Sequence, residues 1–364
     1  MSRARTFADL ATAYGQGNAL GKRNIAINGD MAISQRATST TAVGATSSHY
    51  PTLDRYLYQA NTSGRATVSQ AAITDLAGFR FAQKIDVTTA DTSIAAGEYF
   101  IINQMIEGFD VQRLQYGTSD AKTVTVSFYV KGTAKTYACE ILTSASGTSK
   151  TFNVTTSWNR VSLTFPANTS DTVNQDNTNE FQLSIWLHAG STYTGGTMSG
   201  AWGSTPANRA AGIGSIFSST DNELFITGLQ IETGDVVTPF EYESYETNLQ
   251  RCQRYYHKID ATVVYTRYAT GQAETTTQGE VYYEHPVEMR AKPSLGQTGT
   301  ASNYAVYHNA GVIALSTVPV INSAQTKKMA VINPTVSSGM TQGEALVFLS
   351  NNNTDSYIEY IAEL

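Results

Sequence analysis

Charge is what this 364-residue sequence has least of: Asp, Glu, Lys and Arg together make up 15% of it, against about 25% in an average soluble chain. The net charge is −6, and no basic run exceeds the pair Lys327-Lys328. Neutralising a phosphate backbone needs a concentrated basic surface, so nucleic acid is not an expected partner. Cysteine is nearly absent, with only Cys139 and Cys252 far apart in segments of different type. One bridge between them stays open but has no support in the pattern, and both residues read as buried small apolar side chains. No stretch approaches the ~20 apolar residues that cross a bilayer, so membrane insertion is not expected. The N-terminal stretch MSRARTFADLATAYGQGNAL has no continuous apolar region, and a secretory signal is not expected either.

Motifs of catalysis are missing as well. There is no nucleophile elbow and no phosphate loop. His49, His188, His257, His285 and His308 show no HxxxH or HxH spacing, and neither cysteine lies beside one. No metal and no other cofactor is therefore expected, because a zinc site needs three or four convergent ligands. A glycosidase would need two carboxylates brought together in space, which spacing alone does not exclude. Glu98, Glu107, Glu140, Glu180 and Glu223 lie in or beside strand-like runs and read as solvent-facing or salt-bridged. No catalytic residue is assigned, and the chain is not expected to be an enzyme.

What is present is short alternating segments separated by turn residues, rich in Thr, Ser, Asn, Gly and Tyr. NIAINGDMAISQR predicts two strand pieces around Asn28-Gly29-Asp30. Further strands are predicted in LDRYLYQA, RATVSQAAI, FRFAQKIDV, EYFIINQMIEG, KTYACEILTS, KTFNVTTSWNRVSLTFP, EFQLSIWLHAG and ELFITGLQIE. The cleanest is TVTVSFYVKG, which sets Val124, Val126, Phe128 and Val130 on one face. About ten strands without intervening helices call for a sandwich or jelly roll and not a βαβ sheet. The segment 190–215 is too long for a hairpin loop and is expected to be functional or to lie across the sandwich. A second strand set begins after residue 257, from DATVVYTRYATG to SYIEYIAEL.

Between the two sets the pattern changes. Thr233-Gly234-Asp235 ends a strand holding Ile226, Leu229 and Ile231. From Ser244, a plausible N-cap, Tyr245, Leu249, Cys252 and Tyr256 recur at a helical spacing, with Glu246 in the first turn and Arg251 and Arg254 toward the end. These four residues are expected to form a stripe joining two β domains. Phe7, Leu10 and Tyr14 make a shorter stripe at the start, a candidate arm for docking onto another chain. The expected fold is all-β: an N-terminal helical or extended arm (1–23), a jelly-roll β-sandwich (24–242), a connector helix (243–256) and a second small antiparallel β-sandwich (257–364).

Aromatic residues carry the functional signal, with 21 Tyr, 13 Phe and 3 Trp. Flat rings stack on sugar faces while Asn, Asp and Gln supply hydrogen bonds. Trp158 and Trp186 sit in strand-like runs and read as core, which leaves Trp202, with Tyr193, as the candidate glycan-contacting residues in the long loop. NIAINGDMAISQR, LDRYLY, IEGFDVQRLQYGTSDAKTVTVSFYVKG, FITGLQIETGDVVTPFEYESYETNLQRCQRYY and SYIEYIAEL together resemble bacteriophage tail-fibre and virion appendage proteins of the marine and cyanobacterial phage type. The resemblance implies a carbohydrate-binding-like jelly roll, a second β domain, a homotrimer, attachment to other virion proteins of tail or capsid through RTFADLATA, and a place on the virion surface. It implies a short tail fibre that touches a host-surface polysaccharide; a capsid-decorating knob without a ligand and a polysaccharide depolymerase are the alternatives. No shaft repeat or coiled-coil heptad follows the arm.

Overall fold

A computed structural model describes residues 22–364, so the arm residues Phe7, Leu10 and Tyr14 lie outside the described residues. The described chain falls into two compact units, one ending at Asn248 and the other covering Leu249–Glu363.

The first unit carries twelve strands: β1 (Ser39–Val43), β2 (Ser47–His49), β3 (Leu57–Asn61), β4 (Arg65–Ala72), β5 (Phe81–Thr89), β6 (Tyr99–Glu107), β7 (Val124–Gly132), β8 (Lys135–Leu142), β9 (Gly147–Val154), β10 (Asn159–Phe165), β11 (Asn179–Ala189) and β12 (Glu223–Thr233). They form two six-stranded sheets, in the orders β1-β4-β5-β12-β7-β10 and β2-β3-β6-β11-β8-β9. Every pairing is antiparallel. This is the jelly-roll sandwich that the alternating pattern predicts. Val124, Val126, Phe128 and Val130 of β7 are all buried and pack with Phe100, Ile102, Leu183 and Ile185 of the facing sheet. Because side chains alternate between the faces of a strand, the residues between them point outward. Ala138 and Trp186 therefore join a separate apolar cluster on the outer face of the second sheet, with Ile101 and Ala210. The long segment after β11 covers that face, with a short helix α1 (Ser191–Thr194) and a 3-10 turn (Pro206–Asn208).

One expected pair of strands does not form. Residues 24–38 have irregular backbone although Ile25, Ile27, Met31 and Ile33 are all buried. The reason is Asn28, which adopts φ 58° and spends its side chain on the backbone. Its Nδ2 donates to the carbonyls of Ile33 (2.8 Å) and Asp54 (3.0 Å), while its Oδ1 accepts from Ile33 N–H at 2.9 Å. An Asn that satisfies backbone groups locally offers the chain an alternative to a ladder.

The helix α2 spans Tyr245–Gln253. Ser244 caps it, its Oγ accepting the Thr247 N–H at 3.2 Å. Within the first unit, buried Asn248 accepts from Asn28 N–H and donates to Asp30 Oδ1, both at 3.0 Å. Tyr245 is exposed, Leu249 half-buried, and Cys252 and Tyr256 are buried. Tyr256 lies beyond the helix, at the start of the next strand.

The second unit is again antiparallel β. A three-stranded sheet orders Tyr256–Asp260, Tyr357–Ile361 and Ser294–Gln297. A seven-stranded sheet is centred on Ala345–Ser350, Arg267–Ala273 and Gly279–Glu284. Their facing side chains, among them Ile358, Tyr360, Val281, Tyr304 and Phe348, share one core. Val263, Val264 and Tyr265, expected to continue a strand, are instead exposed in a loop where Tyr265 takes φ 60°. A β-branched or aromatic run makes a strand only where a sheet face exists for it. Among the described residues no helix is long and apolar enough to cross a membrane.

Candidate functional site

The outer face of the second sheet carries a cleft of about 390 Å³, bounded by the β8–β9 hairpin on one side and the 198–209 segment on the other. Hydrogen bonds fix both walls. Gly147 and Gly203 exchange backbone N–H···O=C bonds at 2.9 Å in each direction, and Thr148 Oγ1 donates to the Gly200 carbonyl at 2.9 Å. Behind the hairpin, Asp171 Oδ2 accepts from Thr143 Oγ1 (2.6 Å), Asn168 Nδ2 (2.7 Å) and Ser146 Oγ. These three donors hold the Asp171 carboxyl below its usual range even though partial burial pulls the other way.

Trp202 is one wall. Its Nε1 donates to the Pro166 carbonyl at 2.9 Å, and its ring meets Tyr116 edge to face at 5.6 Å. The indole is thus held at the sandwich rim, half-buried, with its remaining surface in the cleft. A ring fixed in this way loses little entropy when a ligand stacks on it.

The floor is an ion pair. Glu140 is 1% exposed, and Arg209 grips it with two parallel bonds, Nε to Oε1 at 2.8 Å and a terminal nitrogen to Oε2 at 2.9 Å. Trp186 Nε1 adds a third bond to Oε2 at 2.8 Å, and the guanidinium lies 4.8 Å from the Trp186 ring centre. Burial pushes the Glu140 pKa up, while Arg209 and Trp186 pull it back. Arg209 itself is 31% exposed and lines the cleft. The rim carries exposed hydroxyls, among them Ser144, Ser204 and Thr205. Such a surface offers hydrogen bonds of both senses around one aromatic face.

The two loop aromatics singled out by sequence part company. Trp202 lines the cleft; Tyr193 does not, lying under the loop where it packs against Trp186 (5.1 Å) and edge to face on Tyr99 (5.8 Å). Trp186 is buried, in the outer-face cluster and not between the sheets, and Trp158, expected in the core, is half-buried. Sequence reading missed Arg209 altogether. The signal for it was indirect: Glu140 sits in ACEIL, where both neighbours are buried, and a carboxylate in such a run requires a cation.

No family model matches this chain, and no curated protein matches it. Among solved structures it is similar to a CBM4 module at 14% identity and a TM-score of 0.31, over 57% of this chain and 97% of that one. It is similar to the family 11 carbohydrate-binding module of a Clostridium thermocellum cellulase at 10% identity and 0.28, over 54% of this chain and 100% of that one. It is also similar to the enzymatically active domain of bacteriophage CBA120 tailspike protein 4 at 11% identity and 0.30, over 58% of this chain but only 21% of that one. Identities and scores this low assign the chain no function.

Proposed function

We propose that this protein is a non-catalytic glycan-binding protein, and that the cleft between the β8–β9 hairpin and the 198–209 segment holds a neutral sugar chain. The observation that carries the reading is a cleft lined by both a rigidly held indole, Trp202, and a partly exposed arginine, Arg209, whose charge is already compensated by Glu140. Sugars present an apolar face and a rim of hydroxyls, and this cleft presents an aromatic face and a rim of hydroxyls and N–H groups. The cleft is lined by a single carboxylate, and that one is bound by three donors. Two free carboxylates flanking a bond are what glycoside hydrolysis requires, so the arrangement supports recognition without cleavage. The sequence resemblance to phage appendage proteins supports a virion setting, a short trimeric fibre touching a host-surface polysaccharide.

The test is affinity electrophoresis of the purified protein through host surface polysaccharides and plant glucans. Ser204→Arg, at an exposed rim position, fills the cleft without touching the core, and Trp202→Ala removes the stacking face. Retardation of the wild type, abolished by Ser204→Arg and weakened at least tenfold by Trp202→Ala, is the expected result. Equal retardation of all three proteins would move the site elsewhere.

A further inference from the structure

At the other end of β11 from the hairpin, three ligand-type side chains from separate elements converge. Asp91 follows β5, Glu98 precedes β6, and His188 stands near the end of β11; their ligand atoms lie within 4.8 Å of one another. His188 Nε2 is 3.6 Å from Glu98 Oε2 and 3.9 Å from Asp91 Oδ2. Those separations are too long for hydrogen bonds, and buried Nε2 has no hydrogen-bond partner among the described residues. The ring is fully buried, against Phe217 at 5.4 Å.

The other ring nitrogen is engaged. Nδ1 is 2.7 Å from Ser215 Oγ, and that oxygen also accepts the Phe217 N–H at 3.0 Å. An N–H on Nδ1 donating to Ser215 leaves the Nε2 lone pair aimed at the two carboxylates. Asp91 is oriented in the same manner, its Oδ2 accepting from Thr62 Oγ1 at 2.7 Å and from Ser63 N–H at 3.2 Å. Neither Asp91 nor Glu98 is paired with a lysine or arginine among the described residues. In that tautomer two carboxylates and a nitrogen lone pair face one point with no positive charge there, and both His188 and Asp91 carry the outer hydrogen bonds that usually orient metal ligands.

We infer that Asp91, Glu98 and His188 form a binding site for one divalent transition-metal ion, with zinc the best match. The nitrogen ligand selects against calcium and magnesium, which take oxygen. Zinc bonds of about 2.1 Å to nitrogen and carboxylate place tetrahedral ligands roughly 3.4 Å apart. Closing the observed spacing of up to 4.8 Å to that distance takes an inward turn of Glu98, the partly exposed member at 13%, whose Oε2 also accepts the Ala95 N–H at 2.9 Å. Once bound, the ion ties the β5–β6 connection and the end of β11 together, and through Thr62 the β3–β4 turn, at the end of the sandwich away from the cleft hairpin.

The full chain, stripped with EDTA, is titrated with Zn²⁺ alone while metal content and thermal unfolding are followed; Ca²⁺ and Co²⁺ are run in parallel. One zinc per chain, a higher melting temperature with zinc, and a Co²⁺ absorption band in the visible are expected. Glu98→Gln keeps the shape of a mostly buried side chain and should bind zinc at least tenfold more weakly while melting like the EDTA-treated wild type. His188→Asn should abolish the Co²⁺ band, with circular dichroism checking its fold. No zinc uptake, equal affinity in Glu98→Gln, or calcium binding in preference to zinc would each overturn the assignment.

Discussion

Glu140 shows how a single side chain sets the energetics of the cleft floor. A carboxylate removed from water costs several kcal/mol unless it is paired and hydrogen-bonded, and here Arg209 and Trp186 supply three bonds to its two oxygens. Breaking such a pair leaves an uncompensated buried charge, whereas neutralising both partners does not. Arg209→Ala is therefore expected to destabilise the first unit by about 3 kcal/mol, read as a lower denaturant midpoint, with Glu140→Gln restoring most of the loss in the double variant. A double variant whose loss equals the sum of the two single losses would show that the pair is not coupled. The same residues mark the limit of what was legible in the sequence. That Glu140 would be salt-bridged or solvent-facing followed from its strand position; that Arg209, 69 positions later, would be its partner did not, because the loop that carries it has no periodicity. Trp202 could be found as the one tryptophan outside a strand-like run. Tyr193, in the same loop, is turned inward by the apolar cluster around Trp186, and nothing local in STYTGG distinguishes the two situations.

At the scale of the element, β12 was the more readable. Leu224, Ile226, Leu229 and Ile231 are all buried in the core, and their spacing of two, three, two departs from strict alternation by one residue. The ladder explains it: Thr227 pairs with Tyr129 and Gln230 with Ser127, so Gly228 and Leu229 together face Phe128. That is a bulge, and its glycine takes φ 64°. A Cβ at Gly228 would lie 2.8 Å from Phe79 Cζ and 2.9 Å from Tyr129 Cδ2. Left-handed backbone and crowding act together here, so Gly228→Ala should cost roughly 2 kcal/mol, seen as a shifted urea midpoint with an unchanged slope. An unchanged midpoint would mean that the bulge relaxes freely. Strands with a clean period of two were legible in this manner, whereas the 24–38 segment was not. Its apolar residues alternate as a strand's do, but the hydrogen bonds that Asn28 makes to Ile33 and Asp54 come from side-chain chemistry that an apolar pattern does not encode.

Across the whole molecule, each unit has its own buried core, and acid should act on the second unit through a buried histidine pair. His257 Nε2 lies 3.0 Å from His285 Nδ1, and both rings pack at 4.8 Å on Tyr360, with Tyr283 stacked against Tyr360 beyond them. Burial lowers the pKa of His257 to about 3, with its neighbour His285 adding to the effect, and lowers that of His285 to about 4. Both rings are thus neutral in the folded unit, while in the unfolded chain they titrate near 6.5. Between those values the unfolded state binds more protons than the folded one, so the stability is fully present above pH 6.5 and declines as the pH falls toward 4. The loss between pH 7 and pH 4.5 is on the order of 2 to 5 kcal/mol if both groups contribute. Hydrogen exchange localises it: amides of Val281 and Phe348, central in that core, should lose protection over this window. The imidazole Cε1–H signals of His257 and His285 should hold their neutral positions down to about pH 5 while the chain stays folded. Protonation of either ring near pH 6.5 in the folded protein, with protection of Val281 and Phe348 unchanged down to pH 4.5, would show that the pair is hydrated and that the acid sensitivity of this unit lies elsewhere.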